Sequence, residues 1–290
     1  WLKQFELSRA VVVIRAHSSC CPTHATGVRC MAQVPSDART VYIVRHAESR
    51  MNVAMETWSL YGMVSERDHG LSAHGVQQCE DLRAKIEQAR DLGDADAVAI
   101  ASRTCTLSSP LCRAVVTGHL ALPSVAGPAV VLPDGAERCF VRFFSRDSVG
   151  TRRSALAAKV SEELRLLGAA RPAPEVDVSA VSEEKWYVIG ESAESASERM
   201  KSLLRELFAR AAGPGSAVFV GHSCVLRQLF EENCSAEFAA TETGSGLKTK
   251  HLQNCAVLRV SLARESADGE GGEAVRVVDA AFVFGTGLKD

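Results

Sequence analysis

Two short apolar runs, each followed within two residues by a histidine, stand out in the hydrophobic pattern of the chain. Residues 41–44 precede Arg45 and His46, and residues 217–221 precede His222. Short runs of this kind, rich in β-branched residues and without polar alternation, are typical of strands buried in a parallel sheet. Ligand sites in such sheets lie beyond the carboxyl ends of the strands. We therefore predict that the two histidines share one site.

The pattern beyond Met31 continues as an alternation of predicted strands and helices. Ser72 is a suitable N-cap for a helix in which positions 76, 79, 82, 86 and 89 form one apolar face. The other predicted elements are a strand at 97–101, a helix from Ser109-Pro110 to about 120, a strand at 129–132, a helix that ends before Gly213, and strands at 256–262 and 274–284. This alternation predicts an α/β protein, a three-layer α/β/α sandwich with a mostly parallel central sheet.

Two parts of the chain depart from the alternation. Residues 131–192 are less regular and contain Pro172 and Pro174, so we interpret them as an insertion over the site with one helical stretch near 156–167. Residues 1–30 are basic and poor in acids, and Met31 lies shortly before the first strand. We expect residues 1–30 to be a leader, an artefact or a disordered extension, and residues 31–290 to form one domain.

The composition is that of an ordinary globular protein of 290 residues, with 46% hydrophobic residues and 33 lysines and arginines against 35 acids. This balance indicates no basic surface for nucleic acid, and no apolar stretch reaches the roughly 20 residues of a membrane helix. The ten cysteines have neither Cys-x-x-Cys pairs nor zinc-ligand spacing. We expect a reduced, cytoplasmic protein without nucleic-acid or membrane partners, or a mitochondrial one if residues 1–30 are a transit peptide.

Several segments, in matching order, resemble the histidine phosphatase superfamily, the phosphoglycerate mutase-like enzymes. Residues 45–52, Arg-His-Ala-Glu-Ser-Arg-Met-Asn, match the family signature Arg-His-Gly-Glu-Ser-x-x-Asn except at Ala47. Residues 68–77 are similar to its Leu-Thr-x-x-Gly-x-x-Gln segment, and residues 109–117 match Ser-x-x-x-Arg-Ala-x-x-Thr. Gly221-His222 matches the second-histidine motif, and Asn254-Cys255 is similar to the start of a later strand. Because the likeness spans roughly residues 40–260 in the right order, it is far more specific than any one motif.

The resemblance implies a histidine phosphatase-like catalytic domain that hydrolyses phosphomonoesters without a metal. His46 would be the nucleophile that accepts the phosphoryl group as phosphohistidine, and His222 would stabilise the transferring charge. The residue types agree with this chemistry, since a phosphoryl group carries a charge of about −1.5 to −2 and a guanidinium offers it permanently charged, bidentate donors. The candidate phosphate-binding residues are Arg45, Arg113, Asn52 and Ser49.

The leaving group also needs a proton, which the family usually takes from an acid after the third strand. The candidates are Asp134, Glu137 and Asp147, and we choose Glu137 because it follows soon after the apolar run that forms this strand. A solvated loop carboxylate is the alternative for Glu137. Capping of the turn is the alternative for Ser49 and Asn52.

Three functions stay open at this point. We favour a phosphatase over a phosphoglycerate mutase, because residues 134–192 do not match the mutase pattern. The third is a non-catalytic module that binds a phospho-ligand or a protein, which would follow if the methyl group of Ala47 blocked the pocket. We expect the methyl group of Ala47 to alter the pocket only slightly and not to block it. The expected partner is a small phosphorylated substrate or a phosphoprotein, without a cofactor or metal, and the oligomeric state stays open.

Overall fold

The structure is a computed structural model that describes residues 35–137, 149–186, 190–213, 215–266, 273–285 and 287–289. The expectation for residues 1–30, the candidate acid Asp147 and most of the glycine-rich loop near residue 270 lie outside the described residues. In the part that is described, no helix is both long and apolar enough to cross a bilayer.

The described chain contains nine strands and ten α-helices. The strands are β1 (Arg39–Arg45), β2 (Thr106–Ser108), β3 (Ala129–Val131), β4 (Val176–Asp177), β5 (Ala217–Gly221), β6 (His251–Leu252), β7 (Val257–Ser266), β8 (Glu273–Phe284) and β9 (Leu288–Lys289). The helices are α1 (Arg50–Glu56), α2 (Leu60–Ser65), α3 (Ala73–Asp91), α4 (Ala95–Ala101), α5 (Cys112–Ala121), α6 (Leu156–Leu166), α7 (Ala193–Arg210), α8 (Ser223–Asn233), α9 (Ala236–Ala239) and α10 (Glu242–Thr249).

Seven of the described strands form the central sheet in the order β4-β3-β2-β5-β1-β7-β8. The pairs from β4 to β1 are parallel, and β7 and β8 are added antiparallel at one edge. Side chains of β1 alternate between the two faces: Val41 and Ile43 join the core cluster with α7 and α8, whereas Tyr42 and Val44 join the cluster with α3, α5 and α6. Helices therefore cover both faces of the sheet, which confirms the predicted three-layer α/β/α sandwich.

The strand predicted at 97–101 is wrong, because these residues belong to helix α4. Asp94 caps this helix, and its side chain accepts a hydrogen bond from the backbone nitrogen of Ala97 at 2.9 Å. A short apolar run does not by itself distinguish a strand from a buried helix. The strand of this part of the fold is the three-residue β2, which pairs with both β3 and β5.

The described parts of the region from 131 to 192, residues 131–137, 149–186 and 190–192, contain more regular structure than the predicted insertion. It contributes β4 to the edge of the sheet and helix α6, whose Leu156, Val160 and Leu164 are buried in the core cluster with α5. The predicted helical stretch near 156–167 is confirmed by α6. Part of this region therefore belongs to the sandwich itself.

A network of charged side chains ties α6 to the segment that follows the first histidine. Arg50 at the start of α1 contacts Glu163 at 2.6 Å and Glu66 at 2.8 Å, and Lys159 contacts Glu66 at 2.9 Å. Burial alone would raise the pKa of Glu66, but the hydrogen bonds from Arg50 and Lys159 outweigh it and hold this pKa at about 2. Because Glu163 is only 1% exposed, the pairing with Arg50 keeps a buried carboxylate compensated.

Candidate active site

The two histidines of the sequence pattern meet at the carboxyl ends of neighbouring strands. Strands β1 and β5 are parallel and pair Arg45 with Gly221, so His46 and His222 follow at the same level of the sheet. The backbone nitrogen of His46 donates to the carbonyl of Gly221 at 3.0 Å. The ring centroids of His46 and His222 are 4.9 Å apart, with an angle of 57° between the ring planes. The fold thus brings together two residues that are far apart in sequence.

The ring of His46 is held in one orientation by a backbone contact. Its Nδ1 lies 2.6 Å from the carbonyl oxygen of Ala47, and a carbonyl can only accept, so Nδ1 carries the hydrogen and Nε2 carries a lone pair. Burial lowers the pKa of His46 well below 6.5, and the charges of Arg113 and Arg45 lower it further. His46 is therefore neutral at pH 7, with Nε2 in the state that a nucleophile needs.

His222 lies at the N-cap position of α8 and is fully buried. Its Nε2 is 2.6 Å from the hydroxyl of Ser109, while its Nδ1 has no hydrogen-bond partner among the residues that the structure describes. Burial, followed by the charge of Arg113, lowers the pKa of His222 well below 6.5. A bound phosphoryl dianion would oppose this shift, since an adjacent negative charge favours the protonated ring.

Arg45 and Arg113 provide the positive charge next to the two rings. Arg45 is 7% exposed and Arg113 is 1% exposed, and both lower the pKa of each histidine through their charge. Nη1 of Arg45 donates to the carbonyl of Leu252, whereas its buried Nε has no hydrogen-bond partner within the described ranges. Two buried guanidinium groups next to two imidazole rings form an arrangement suited to a phosphoryl group.

Asp68, which the sequence analysis did not identify, supports Arg113 and the start of α5. Its Oδ1 accepts from the backbone nitrogen of Cys112 at 2.9 Å, and its Oδ2 accepts from that of Thr151 at 3.0 Å. Burial raises the pKa of Asp68, and the nearby charge of Arg113 opposes this shift. The helix predicted to start at Ser109-Pro110 thus begins at Cys112, and a distant carboxylate caps it instead of a local serine.

Ser49 and Asn52 form a capping box at the start of α1. Oδ1 of Asn52 accepts from the backbone nitrogen and the hydroxyl of Ser49, each at 3.0 Å, and the hydroxyl of Ser49 also accepts from the backbone nitrogen of Asn52 at 3.2 Å. Ser49 and Asn52 therefore cap the turn, which is the alternative role that the sequence suggested for them. The capping box uses the oxygen of the Asn52 amide and not its nitrogen, and the phosphate-binding role of this pair stays a prediction.

Glu137 follows the short 3-10 helix Pro133–Gly135 and lies near Arg45. Its charge raises the pKa of Arg45 against the larger lowering effect of burial. Arg199 on α7 positions the preceding turn, because its Nη1 donates to the carbonyls of Asp134 and Ala136, each at 2.7 Å. The structure therefore brings Glu137 close to Arg45. The backbone carbonyl of Asp134 accepts one of the hydrogen bonds by which Arg199 holds the turn before Glu137.

Ala47 is compatible with the backbone at this position, because its φ is negative and its methyl group is buried in the core cluster that contains Tyr42. Its backbone nitrogen donates to the hydroxyl of Thr117 at 3.0 Å. The amide of Asn254, in the segment matched by its family motif, donates to the carbonyl of His46 at 2.8 Å. The loop that carries His46 is thus supported from two other segments of the chain.

We expect Ala47→Gly to leave kcat/KM within about threefold of the wild type, because the methyl group packs in the core and no positive φ requires glycine. The free energy of unfolding should fall by about 1–2 kcal/mol, from the lost methyl burial and the greater entropy of the unfolded chain. Phosphate release from a phosphomonoester and urea unfolding measure the two effects. A rise in activity above tenfold would mean that the methyl group restricts the pocket.

Among the described residues, no group of three histidine, cysteine, aspartate or glutamate side chains is arranged to hold a metal ion. The site instead consists of two neutral imidazoles, two guanidinium groups, and the carboxylates of Asp68 and Glu137 close to the arginines. Such a set can bind a dianion, present a lone pair to it and exchange a proton with its leaving group.

Comparison with known proteins identifies the family. The sequence profile of the histidine phosphatase superfamily (branch 1) matches residues 41–269, which include His46, Arg113 and His222. The chain belongs to the histidine phosphatase superfamily. No curated protein matches the chain at a significant level.

Solved structures of this superfamily resemble the chain at low identity. A mycobacterial glucosyl-3-phosphoglycerate phosphatase is 19% identical, with a TM-score of 0.39, covering 82% of this chain and 97% of its own. The ecdysone phosphate phosphatase of Bombix mori is 15% identical, with a TM-score of 0.42 and coverages of 78% and 89%. A phosphoglycerate mutase from Bacillus anthracis is 18% identical, with a TM-score of 0.42 and coverages of 77% and 88%.

Proposed function

We propose that this histidine phosphatase superfamily member hydrolyses phosphomonoesters through a phosphohistidine formed on His46, without a metal. One observation carries the proposal: the hydrogen of His46 is engaged on Nδ1 by the carbonyl of Ala47, which leaves Nε2 as a lone-pair donor beside Arg45 and Arg113. The substrate would be a small phosphorylated molecule or a phosphoprotein.

In the first step, Nε2 of His46 attacks the phosphorus, and a P–N bond forms as the bond to the leaving oxygen breaks. Arg45 and Arg113 neutralise the charge on the non-bridging oxygens, and His222 donates to them once the bound dianion has favoured its protonation. Glu137, in its protonated form, transfers its proton to the leaving oxygen. The alcohol then departs and the phosphoryl group stays on His46.

In the second step, water replaces the alcohol. The carboxylate of Glu137 takes a proton from the water as its oxygen attacks the phosphorus. The P–N bond breaks, its electron pair returns to Nε2 of His46, and inorganic phosphate leaves. Glu137 ends protonated and the ring ends neutral, so the site is ready for another cycle.

The proposal predicts that the protein releases inorganic phosphate from a panel of phosphomonoesters. The incubation is at mildly acidic to neutral pH, with a chelator present. A brief incubation with radiolabelled phosphomonoester followed by denaturation should trap an acid-labile, base-stable phosphoenzyme. Discharge of the trapped group by water supports a phosphatase, whereas discharge only by phosphoglycerate means a mutase. If neither turnover nor a phosphoenzyme forms while phosphate binds, the protein is a binding module and the proposal fails.

Glu137→Gln should distinguish a proton donor from a solvated carboxylate. Turnover of alkyl phosphates, whose leaving alkoxide needs a proton, should fall by about 10²–10³-fold. With p-nitrophenyl phosphate, whose leaving group departs as the phenolate, the first step should persist and give a burst of p-nitrophenolate before slow hydrolysis. Asp134→Asn, a change of a neighbouring acid in the same turn, is the control and should behave as the wild type. Equal losses with both substrates and no burst would contradict the donor role.

A further inference from the structure

Three polar side chains form a hydrogen-bonded chain that begins at the residue after His222. The hydroxyl of Ser223 lies 2.8 Å from Nδ1 of His251, and Nε2 of the same ring lies 3.2 Å from Nη1 of Arg227. None of these residues was assigned a role from the sequence. Ser223 and Arg227 lie one helical turn apart on α8, and His251 is the first residue of β6.

The direction of the hydrogen bonds in this chain follows from the guanidinium. Arg227 can only donate, so Nε2 of His251 must accept and the ring hydrogen must be on Nδ1. Nδ1 then donates to the oxygen of Ser223. The hydroxyl hydrogen of Ser223 is therefore not used by His251, and no other hydrogen bond of this hydroxyl occurs within the described part of the protein.

Ser223 is linked to both sides of the candidate site, to the second histidine by the chain and to the segment around Leu252 by His251. Ser223 is 6% exposed and directly follows His222 at the first turn of α8. Its partner His251 directly precedes Leu252, whose carbonyl accepts from Nη1 of Arg45. Ser223 is thus held between the second histidine and the segment that binds one of the two phosphate-binding arginines. A nearly buried donor of this kind normally has an acceptor, and a bound phosphoryl oxygen would be one.

We propose that the hydroxyl of Ser223 donates a hydrogen bond to a non-bridging oxygen of the phosphoryl group, and that His251, held by Arg227, is the positioning residue that keeps this hydrogen directed toward it. The inference rests on the proposed phosphatase function and adds a substrate contact to the same site. His251 acts through Ser223 and does not itself touch the substrate.

Ser223→Ala should lower kcat/KM for p-nitrophenyl phosphate by about 10–100-fold, as expected for the loss of one donor to a charged oxygen. His251→Leu should have a similar effect, since the serine hydrogen is then no longer directed. His251→Asn should recover most of the activity, because the amide nitrogen of asparagine can replace Nδ1 as the donor. The double variant Ser223→Ala/His251→Leu should be no worse than Ser223→Ala alone, because both changes remove one interaction.

Ser161→Ala, at an exposed serine on α6, is the matched control and should behave as the wild type. Thermal unfolding of each variant separates a loss of structure from a loss of the contact, because His251→Asn and His251→Leu should be similarly folded yet differ in activity. Nitrogen-15 spectra of the histidines should show His251 protonated on Nδ1. Protonation on Nε2 would overturn the proposed direction of the chain.

Calorimetric binding of inorganic phosphate tests the contact without relying on turnover. Ser223→Ala should weaken phosphate binding by about tenfold or more. Equal phosphate affinity and equal kcat/KM in Ser223→Ala and the wild type would overturn the inference, while turnover and the trapped phosphoenzyme would still support the phosphatase. If the wild type binds phosphate but does not turn over, the phosphatase proposal fails and the Ser223→Ala affinity still decides the contact.

Discussion

Replacement of His46 by alanine should abolish phosphate release, lowering kcat by at least about 10⁴-fold, the scale on which loss of a covalent nucleophile acts. The reason is chemical: the carbonyl of Ala47 engages Nδ1 of His46, which leaves the lone pair on Nε2 available for attack. The same change should remove the phosphoenzyme, measured as acid-labile label retained on the protein. Binding of inorganic phosphate should persist, because the arginines stay in place.

His74→Ala is the matched control for this experiment. His74 is exposed on α3 and takes no part in the site, so its replacement should leave turnover and labelling unchanged. Turnover in His46→Ala equal to that of the wild type, with the label still attached to the protein, would reject His46 as the nucleophile.

Arg113→Met should lower kcat/KM by about 10³-fold, because the proposed mechanism uses this buried positive charge to neutralise the phosphoryl oxygens. Arg113→Lys should recover only part of this loss, since an ammonium keeps the charge without the bidentate geometry. Steady-state kinetics and phosphate affinity measure the effect. The pKa of both His46 and His222 should also rise in Arg113→Met, because the charge of Arg113 lowers each of them.

The same change affects stability, and a second variant separates the two effects. Without Arg113, the buried carboxylate of Asp68 loses its compensating charge, which should cost about 3–5 kcal/mol in the free energy of unfolding. Adding Asp68→Asn to Arg113→Met should restore part of the stability but not the activity. Recovery of both together would mean that Arg113 acts by holding the fold and not by binding phosphate.

Much of the fold was accessible from local patterns. The runs before His46 and His222 are β1 and β5, and the apolar face predicted for the helix after Ser72 is buried through Cys79, Leu82 and Ile86. These predictions succeeded because burial on one or both faces of an element leaves a clear periodicity. The error at 97–101 arose where a segment of alanine, valine and isoleucine was too short for its periodicity to decide. The N-cap residue Asp94 was the local signal that favours a helix.

The residues that sequence reasoning missed are those defined by contacts over long distances in the chain. Asp68 caps α5 from 44 positions away, and Ser109 contacts His222 over 113 positions. Ser109 could have been found, since it begins one of the matched motifs. His251 has no such signal, because its importance arises only when β6 is placed next to the start of α8.

The sequence by itself determined which chemical groups this protein can use: two histidines after two buried strands, and two arginines at positions that match a phosphate-binding family. Tertiary structure decided the states of those groups. The tautomer of His46, the lowered pKa of both imidazoles and the direction of the Ser223–His251 hydrogen bond all depend on which atoms surround each ring. Burial and electrostatic fields come from the whole packed fold, so no local stretch of sequence contains them.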